Sequence, residues 1–329
     1  MRGGALKRFL RRFAVLAFAM ALTSAASADG AYPAPPPAPW NDPIATSRTL
    51  KIGGASIQLD FGPGAVDLAP DRIVTWVTNA AQSVAVYYGR FPVARDRILV
   101  EFDSGGRGVR HGTTWGGVGG FPAFTRIHLG EHTTQQDLDT DWMMTHELIH
   151  IGFPSMADNH HWIEEGLAVY IEPIARVQNG LLRPEKIWAD MARDMPQGDP
   201  EPGDRGLDQT HTWGRTYWGG AQFCLLADVT IRKQTHNRKG LEDALRGIVA
   251  AGGTIDQDWP IEKALAVGDQ ATGTHVLSEL YTQMKDKPVP VDLDGLWRDL
   301  GVERTANGVR LDDSARFADI RSAITRPEK

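Results

Sequence analysis

Apolar positions along this chain recur with two periods, and the change from one to the other locates the elements. Leu50, Ile52, Ile57, Leu59 and Phe61 alternate with polar neighbours around Gly53-Gly54, which predicts a hairpin. From Pro70 to Tyr88 the period becomes helical. Ile73, Trp76, Val77, Ala80, Val84, Tyr87 and Tyr88 share one face, with Pro70 at the start and Gly89 at the end. Arg97 to Phe102 and Thr125 to Leu129 read as strands. Between them, Gly105 to Gly120 is rich in glycine and carries no clear period. It fits a flexible surface loop or a backbone-rich strand edge beside a cleft. Trp142 to Ile151 contains neither Gly nor Pro. Met144, Leu148 and Ile151 form its apolar stripe, Asp141 supplies a cap, and Gly152 with Pro154 ends it. A second helix follows over His161 to Glu172, capped by Asp158 or Asn159 and closed by Pro173. Ile163, Leu167, Tyr170, Ile171 and Ile174 make its core face. Gly166 inside it predicts a close approach to the first helix. Residues 174–210 become polar and irregular after Trp188. A helix opens at Thr212 and runs to about Arg232, and short amphipathic helices cover Leu241–Ala251, Ile261–Val267 and Val276–Lys285. The pattern as a whole predicts an α+β fold: a small mixed sheet with helices, and a mostly helical C-terminal part.

The helix from Trp142 to Ile151 carries His146-Glu147-Leu148-Ile149-His150. On a helix, residues four apart lie one above the other, about 5–6 Å between Cβ atoms. Two imidazoles at that spacing can both reach one Zn²⁺ at roughly 2.0–2.1 Å. The His pair lies off the apolar stripe, as ligands facing a cleft would. Glu147 is set to act on water, where a general base belongs. A hydrolytic zinc site usually takes a third protein ligand. In the second helix Glu165 is two residues from Ile163, about 200° around the axis, and so faces away from the core.

H-E-x-x-H followed by Trp162-Ile163-Glu164-Glu165-Gly166-Leu167-Ala168-Val169-Tyr170 resembles the gluzincin metallopeptidases. The likeness is strongest to the peptidase MA-like proteins, related to the glycyl aminopeptidase and aminopeptidase-N groups, and covers Thr145 to Glu172. It implies a zincin-like metallopeptidase fold with one Zn²⁺ per chain. His146, His150 and Glu165 would then be the metal ligands and Glu147 the general base. The 14 residues between His150 and Glu165 are fewer than in the aminopeptidase-N group, a departure that bears on specificity. Gluzincins of the aminopeptidase type place a Tyr two residues before a Gly, at a helix start, against the developing oxyanion. Tyr217-Trp218-Gly219-Gly220 is similar, with His211 and Arg215 as rival donors. Gluzincins also bind substrate backbone along the edge strand before the zinc helix, which gives Gly105–Gly120 a role. The Glu with which aminopeptidase-N relatives grip a free N-terminus is not found in that stretch.

Residues 1–28 read as a secretory signal peptide of the Sec type. Lys7, Arg8, Arg11 and Arg12 precede an apolar Phe13–Leu22, and Ala26-Ser27-Ala28 is a small-residue cleavage site. Residues 29–48, with Pro33, Pro35, Pro36, Pro37 and Pro39, read as a linker, and 49–329 as the peptidase domain. The expected location is periplasmic or secreted, with no stable membrane insertion once the signal is removed. The signal carries five of the 35 Lys and Arg and none of the 41 Asp and Glu, so the mature chain holds 30 bases against 41 acids, a net charge of −11. That excludes nucleic acid and anionic membrane surfaces as partners. A single Cys224 beside Phe223, Leu225 and Leu226 reads as a buried thiol. His111, His128, His132, His160, His161, His236 and His275 belong to no motif, though His160 and His161 lie close enough in sequence to line the site. The expected activity is hydrolysis of peptide bonds in peptides or proteins. Two other readings compete: a non-catalytic binding protein on a zincin-like scaffold, which has no need of Glu147, and a zinc amidase acting on cell-wall material.

Overall fold

Five strands form one mixed sheet, in which the first, second, third, fifth and fourth in chain order lie side by side. The computed structural model describes residues 39–327; the signal-peptide reading of 1–28 and most of the Pro-rich stretch lie outside the described residues. Strand β1 is Thr46–Ile52 and β2 is Ala55–Phe61. Gly53 and Gly54 join them with φ of 55° and 83°, the left-handed conformations that a tight hairpin turn requires. The strand begins inside the stretch read as linker, because Thr46 to Arg48 pair with Leu59 to Phe61. Helix α1, Pro70–Tyr88, carries the chain to β3, Arg95–Asp103, which runs parallel to β2. Strand β4, Val109–Val118, and β5, Phe121–Gly130, form an antiparallel pair, and β5 lies parallel to β3. The glycine-rich stretch is therefore the edge strand. Glycine weakens local strand preference, and pairing with β5 overrides it.

Alternation along the strands sends Ile57, Leu59, Ile98, Val100, Ile127 and Leu129 to one face, where they bury against Ile73, Val77 and Val84 of α1. Leu99, Trp115 and Phe124 form a smaller cluster of their own. After the short α2, Gln135–Thr140, helix α3, Met143–Ile149, packs against α1, β4 and the next helix. Helix α4 is His161–Gln178. It continues through Pro173, where the sequence predicted its end. The missing N–H and ring clash cost about 3 kcal/mol, but Ile174, Ala175 and Val177 beyond it are buried in the core. No Asp158 or Asn159 side chain caps it; a 3₁₀ turn, Asp158–His160, leads in instead.

Helix α5, Pro184–Asp194, runs past Trp188 into the stretch expected to be irregular. Helix α6, Gly220–Gln234, follows a π-turn at Arg215–Gly219. The remainder is α7, Leu241–Ala250, α8, Ile261–Thr272, α9, Val276–Met284, and α10, Leu293–Leu300. A hairpin of β6, Val302–Thr305, and β7, Gly308–Leu311, and helix α11, Ala318–Ile324, complete it. No helix among the described residues is long and apolar enough to cross a membrane.

Candidate metal centre

The Asp141 carboxylate accepts the N–H groups of Met143 and Met144, each at 3.1 Å, and so starts α3. His146 and Glu147 are buried within that helix, and His150 stands half-buried where it tightens into a 3₁₀ turn. The two imidazole rings are 5.0 Å apart and nearly perpendicular, at 86°. Helix α4 brings Glu165 against them. Its Oε2 lies 3.1 Å from Nε2 of His146 and 3.9 Å from Nε2 of His150.

What lets α4 sit there is a crossing of glycines. A Cβ on Gly166 would fall 2.3 Å from the carbonyl carbon of Gly220, and one on Gly220 would fall 2.1 Å from the carbonyl oxygen of Trp162. The close approach predicted for Gly166 is thus made to α6 and not to α3. The π-turn entering α6 carries Tyr217. Such turns are frequent at functional sites.

One donor atom from each of His146, His150 and Glu165 lies within 4.8 Å of the others, the single such group among the described residues. Two imidazoles and a carboxylate, largely shielded from water, fit the donor set of a zinc site that leaves one position open. Burial works to raise the Glu165 pKa, but His150, His146 and His161 outweigh it and hold the carboxylate well below its usual range. His161 ties down the other oxygen: its Nε2 is 3.1 Å from Glu165 Oε1, while its Nδ1 is 3.2 Å from Glu164 Oε2. Oε2 is left facing the imidazoles. Sequence reasoning put His160 and His161 on equal terms, and the structure separates them. His160 turns to Tyr281 at 3.1 Å and Asp208 at 3.3 Å. The signal that distinguishes His161 is its place one helical turn before Glu165.

Glu147 faces the edge strand. Its Oε2 accepts the Thr114 hydroxyl at 2.9 Å. A Cβ on Gly112 would fall 2.7 Å from Glu147 Cγ, so this strand position makes room for the glutamate. Burial, with Glu165 adding and His146 and Thr114 opposing, pushes the Glu147 carboxyl up to about 7. Neither Gly112 nor Thr114 carries a motif that would have revealed it.

The Tyr217 hydroxyl is buried and makes no hydrogen bond of ordinary geometry. Burial and the nearby Glu165 and Glu147 carboxylates raise its pKa further, so it stays a phenol and a donor. Its ring stacks on Trp213, centroids 5.6 Å apart. Tyr217 lines a cavity of about 740 Å³ together with His111, Trp142, His146 and Glu147. The rival donors lie elsewhere. Arg215 is buried against Asp204 at 2.7 Å and the Gly198 carbonyl at 2.5 Å, and His211 is exposed; neither lines the cavity. Of the other unassigned histidines, His128 bridges Glu101 and Asp103, each at 3.0 Å, and His132 meets Asp67 at 2.9 Å. Cys224 is buried and free, as its apolar neighbours imply.

No protein-family model matches this chain, and no curated protein matches it. Among solved structures, the chain is similar to an aminopeptidase N family protein from Idiomarina loihiensis, with a TM-score of 0.57 and 12% identity over 82% of this chain and 53% of that one. An M1 zinc metallopeptidase from Deinococcus radiodurans, bound to a Tyr-Ser-Ala substrate, aligns with a TM-score of 0.49 and 14% identity over 76% of this chain and 53% of that one. The chain spans about half the length of these structures. The chain shares its fold with that aminopeptidase N family structure, in keeping with the fold that the resemblance implied.

Proposed function

We propose that this chain is an exported zinc-dependent peptidase. The observation that carries the reading is the convergence of His146, His150 and Glu165 beside a buried Glu147 at one cavity. In this reading the three donors hold one Zn²⁺, which when bound supplies a Lewis acid for the scissile carbonyl and lowers the pKa of water. Glu147 takes the proton from the attacking water and passes it to the leaving amine. Thr114 keeps the Glu147 carboxylate aimed. Tyr217 donates its O–H to the carbonyl oxygen as negative charge develops there. The edge strand β4 offers backbone N–H and C=O groups to an extended peptide next to Glu147. Three donors with a base beside them favour this over a binding protein, whose structural zinc would more often be closed by four ligands.

Export rests on the basic, apolar and small-residue segments of residues 1–28. The test is cleavage of a peptide mixture by the mature protein, abolished by a chelator and restored by Zn²⁺. Zinc held without any cleavage would point to the binding protein. Release of cell-wall fragments with peptides left intact would point to the amidase.

A further inference from the structure

We infer that Trp213 is a positioning residue for Tyr217, its indole face setting the direction in which the phenol presents its O–H to the reacting carbonyl. The inference rests on the peptidase reading, in which Tyr217 is the oxyanion donor, and adds a residue to that machinery. Three observations support it.

The first is how the backbone beneath Tyr217 is held. A Cβ on Gly214 would fall 2.3 Å from the Gln197 carbonyl oxygen, and one on Gly198 would fall 2.4 Å from the Gly219 nitrogen. The π-turn Arg215–Gly219 thus lies backbone to backbone on the 3₁₀ turn Met195–Gly198. Arg215 adds its contacts to Asp204 at 2.7 Å and to the Gly198 carbonyl at 2.5 Å. These contacts place the Tyr217 backbone and leave the rotation of its side chain to be decided elsewhere.

The second is the stack. Trp213 stands four residues before Tyr217, about one turn away, where side chains meet. The ring centroids are 5.6 Å apart and the planes are inclined by 25°. An offset stack of this kind favours one ring orientation over others. Side chains locked by packing are what hold a reacting group in its productive geometry.

The third is what an unrestrained phenol would do. The Tyr217 hydroxyl lies beside the Glu165 and Glu147 carboxylates. A freely turning O–H would settle on one of these charged acceptors, which make the stronger hydrogen bonds. A ring held by the indole keeps the O–H available to the carbonyl oxygen. Trp213 lines the cavity together with Tyr217 and is 58% exposed, so its ring can be exchanged with little loss of core packing.

The experiment is steady-state kinetics of the zinc-loaded protein on a peptide that the parent cleaves. Trp213→Ala should lower kcat about tenfold with KM little changed, as a displaced reacting group does. Zinc content and circular dichroism should match the parent. Trp213→Phe, which keeps a flat ring, should restore most of kcat. Trp213→Leu should not, and it reports the same loss if Trp213→Ala does not fold. In a Tyr217→Phe background, Trp213→Ala should lower kcat no further, because a residue that acts through the Tyr217 hydroxyl has nothing left to position. An additive loss, a raised KM with kcat intact, full activity in Trp213→Ala, or equal activity in Trp213→Leu and Trp213→Phe overturns the inference while leaving a peptidase. Full kcat in Tyr217→Phe alone removes the donor and this inference with it. Absence of cleavage on every peptide overturns the peptidase reading as well.

Discussion

The hydroxyl of Thr114 lies 2.9 Å from Oε2 of Glu147 and 3.0 Å from that residue's backbone oxygen. The sheet edge and the helix that carries His146 and His150 are thus joined at the residue proposed as the base. Glu147→Gln keeps size and hydrogen bonding but cannot accept a proton. Hydrolysis should fall by about 10²–10⁴, with zinc content and folding unchanged. Thr114→Val should cost less, roughly 10–100-fold in kcat, as a hydrogen bond to a charged group is worth about 1.5–3 kcal/mol. Full activity in Glu147→Gln, measured on a peptide the parent cleaves, would remove Glu147 from the mechanism.

Elemental analysis of the purified mature protein should give one Zn²⁺ per chain. The His146→Ala, His150→Ala double variant should retain none, and Glu165→Gln should lose affinity together with activity. His161 holds Glu165 Oε1 at 3.1 Å, so His161→Phe should weaken zinc about 10–100-fold, the usual effect of removing a partner that orients a ligand. Circular dichroism of that variant should match the parent. Unaltered zinc affinity in His161→Phe would reduce the contact to a surface pairing.

Tyr217 has a buried hydroxyl beside the Glu165 and Glu147 carboxylates, on a residue that lines the cavity. Tyr217→Phe should lower kcat by roughly 10²–10³ with KM little changed, as the loss of one oxyanion donor does. A raised KM with kcat intact would instead assign the phenol to substrate binding.

Asp96 gives a pH signature independent of the metal. It is fully buried in β3; Oδ1 accepts the Arg97 N–H at 2.8 Å and Oδ2 has no partner. Burial pushes its pKa up to about 8, against about 3.9 in an unfolded chain. Between those values the folded protein keeps a proton that the unfolded chain releases. The stability this contributes is whole below about pH 4 and is lost as pH rises to about 8. Asp96→Asn carries no such dependence. Urea midpoints of parent and variant should diverge in the variant's favour across that window and run parallel above it. A gap constant with pH would mean that Asp96 is ionised in the fold.

The features legible in the sequence are those set by neighbours along the chain. The Gly53-Gly54 turn, the helix from Pro70 to Tyr88 and the four-residue spacing of His146 and His150 each depend on local backbone geometry. All three appear where the pattern places them. The E-G motif likewise marked Glu165 before any fold was known, and the structure brings it to the histidines. Other features depend on which distant segments meet. Val109–Val118 is a strand because β5 supplies its partners. Helix α4 outlasts Pro173 because the core beyond it is buried. Gly166 answers to Gly220, 54 positions away, rather than to the nearer α3. Tyr217 reaches the cavity while Arg215, two residues earlier in the same turn, is spent on Asp204. Periodicity and propensity report on a few consecutive residues, whereas these outcomes turn on long-range packing and on which buried polar groups find partners, and only the tertiary structure decides those.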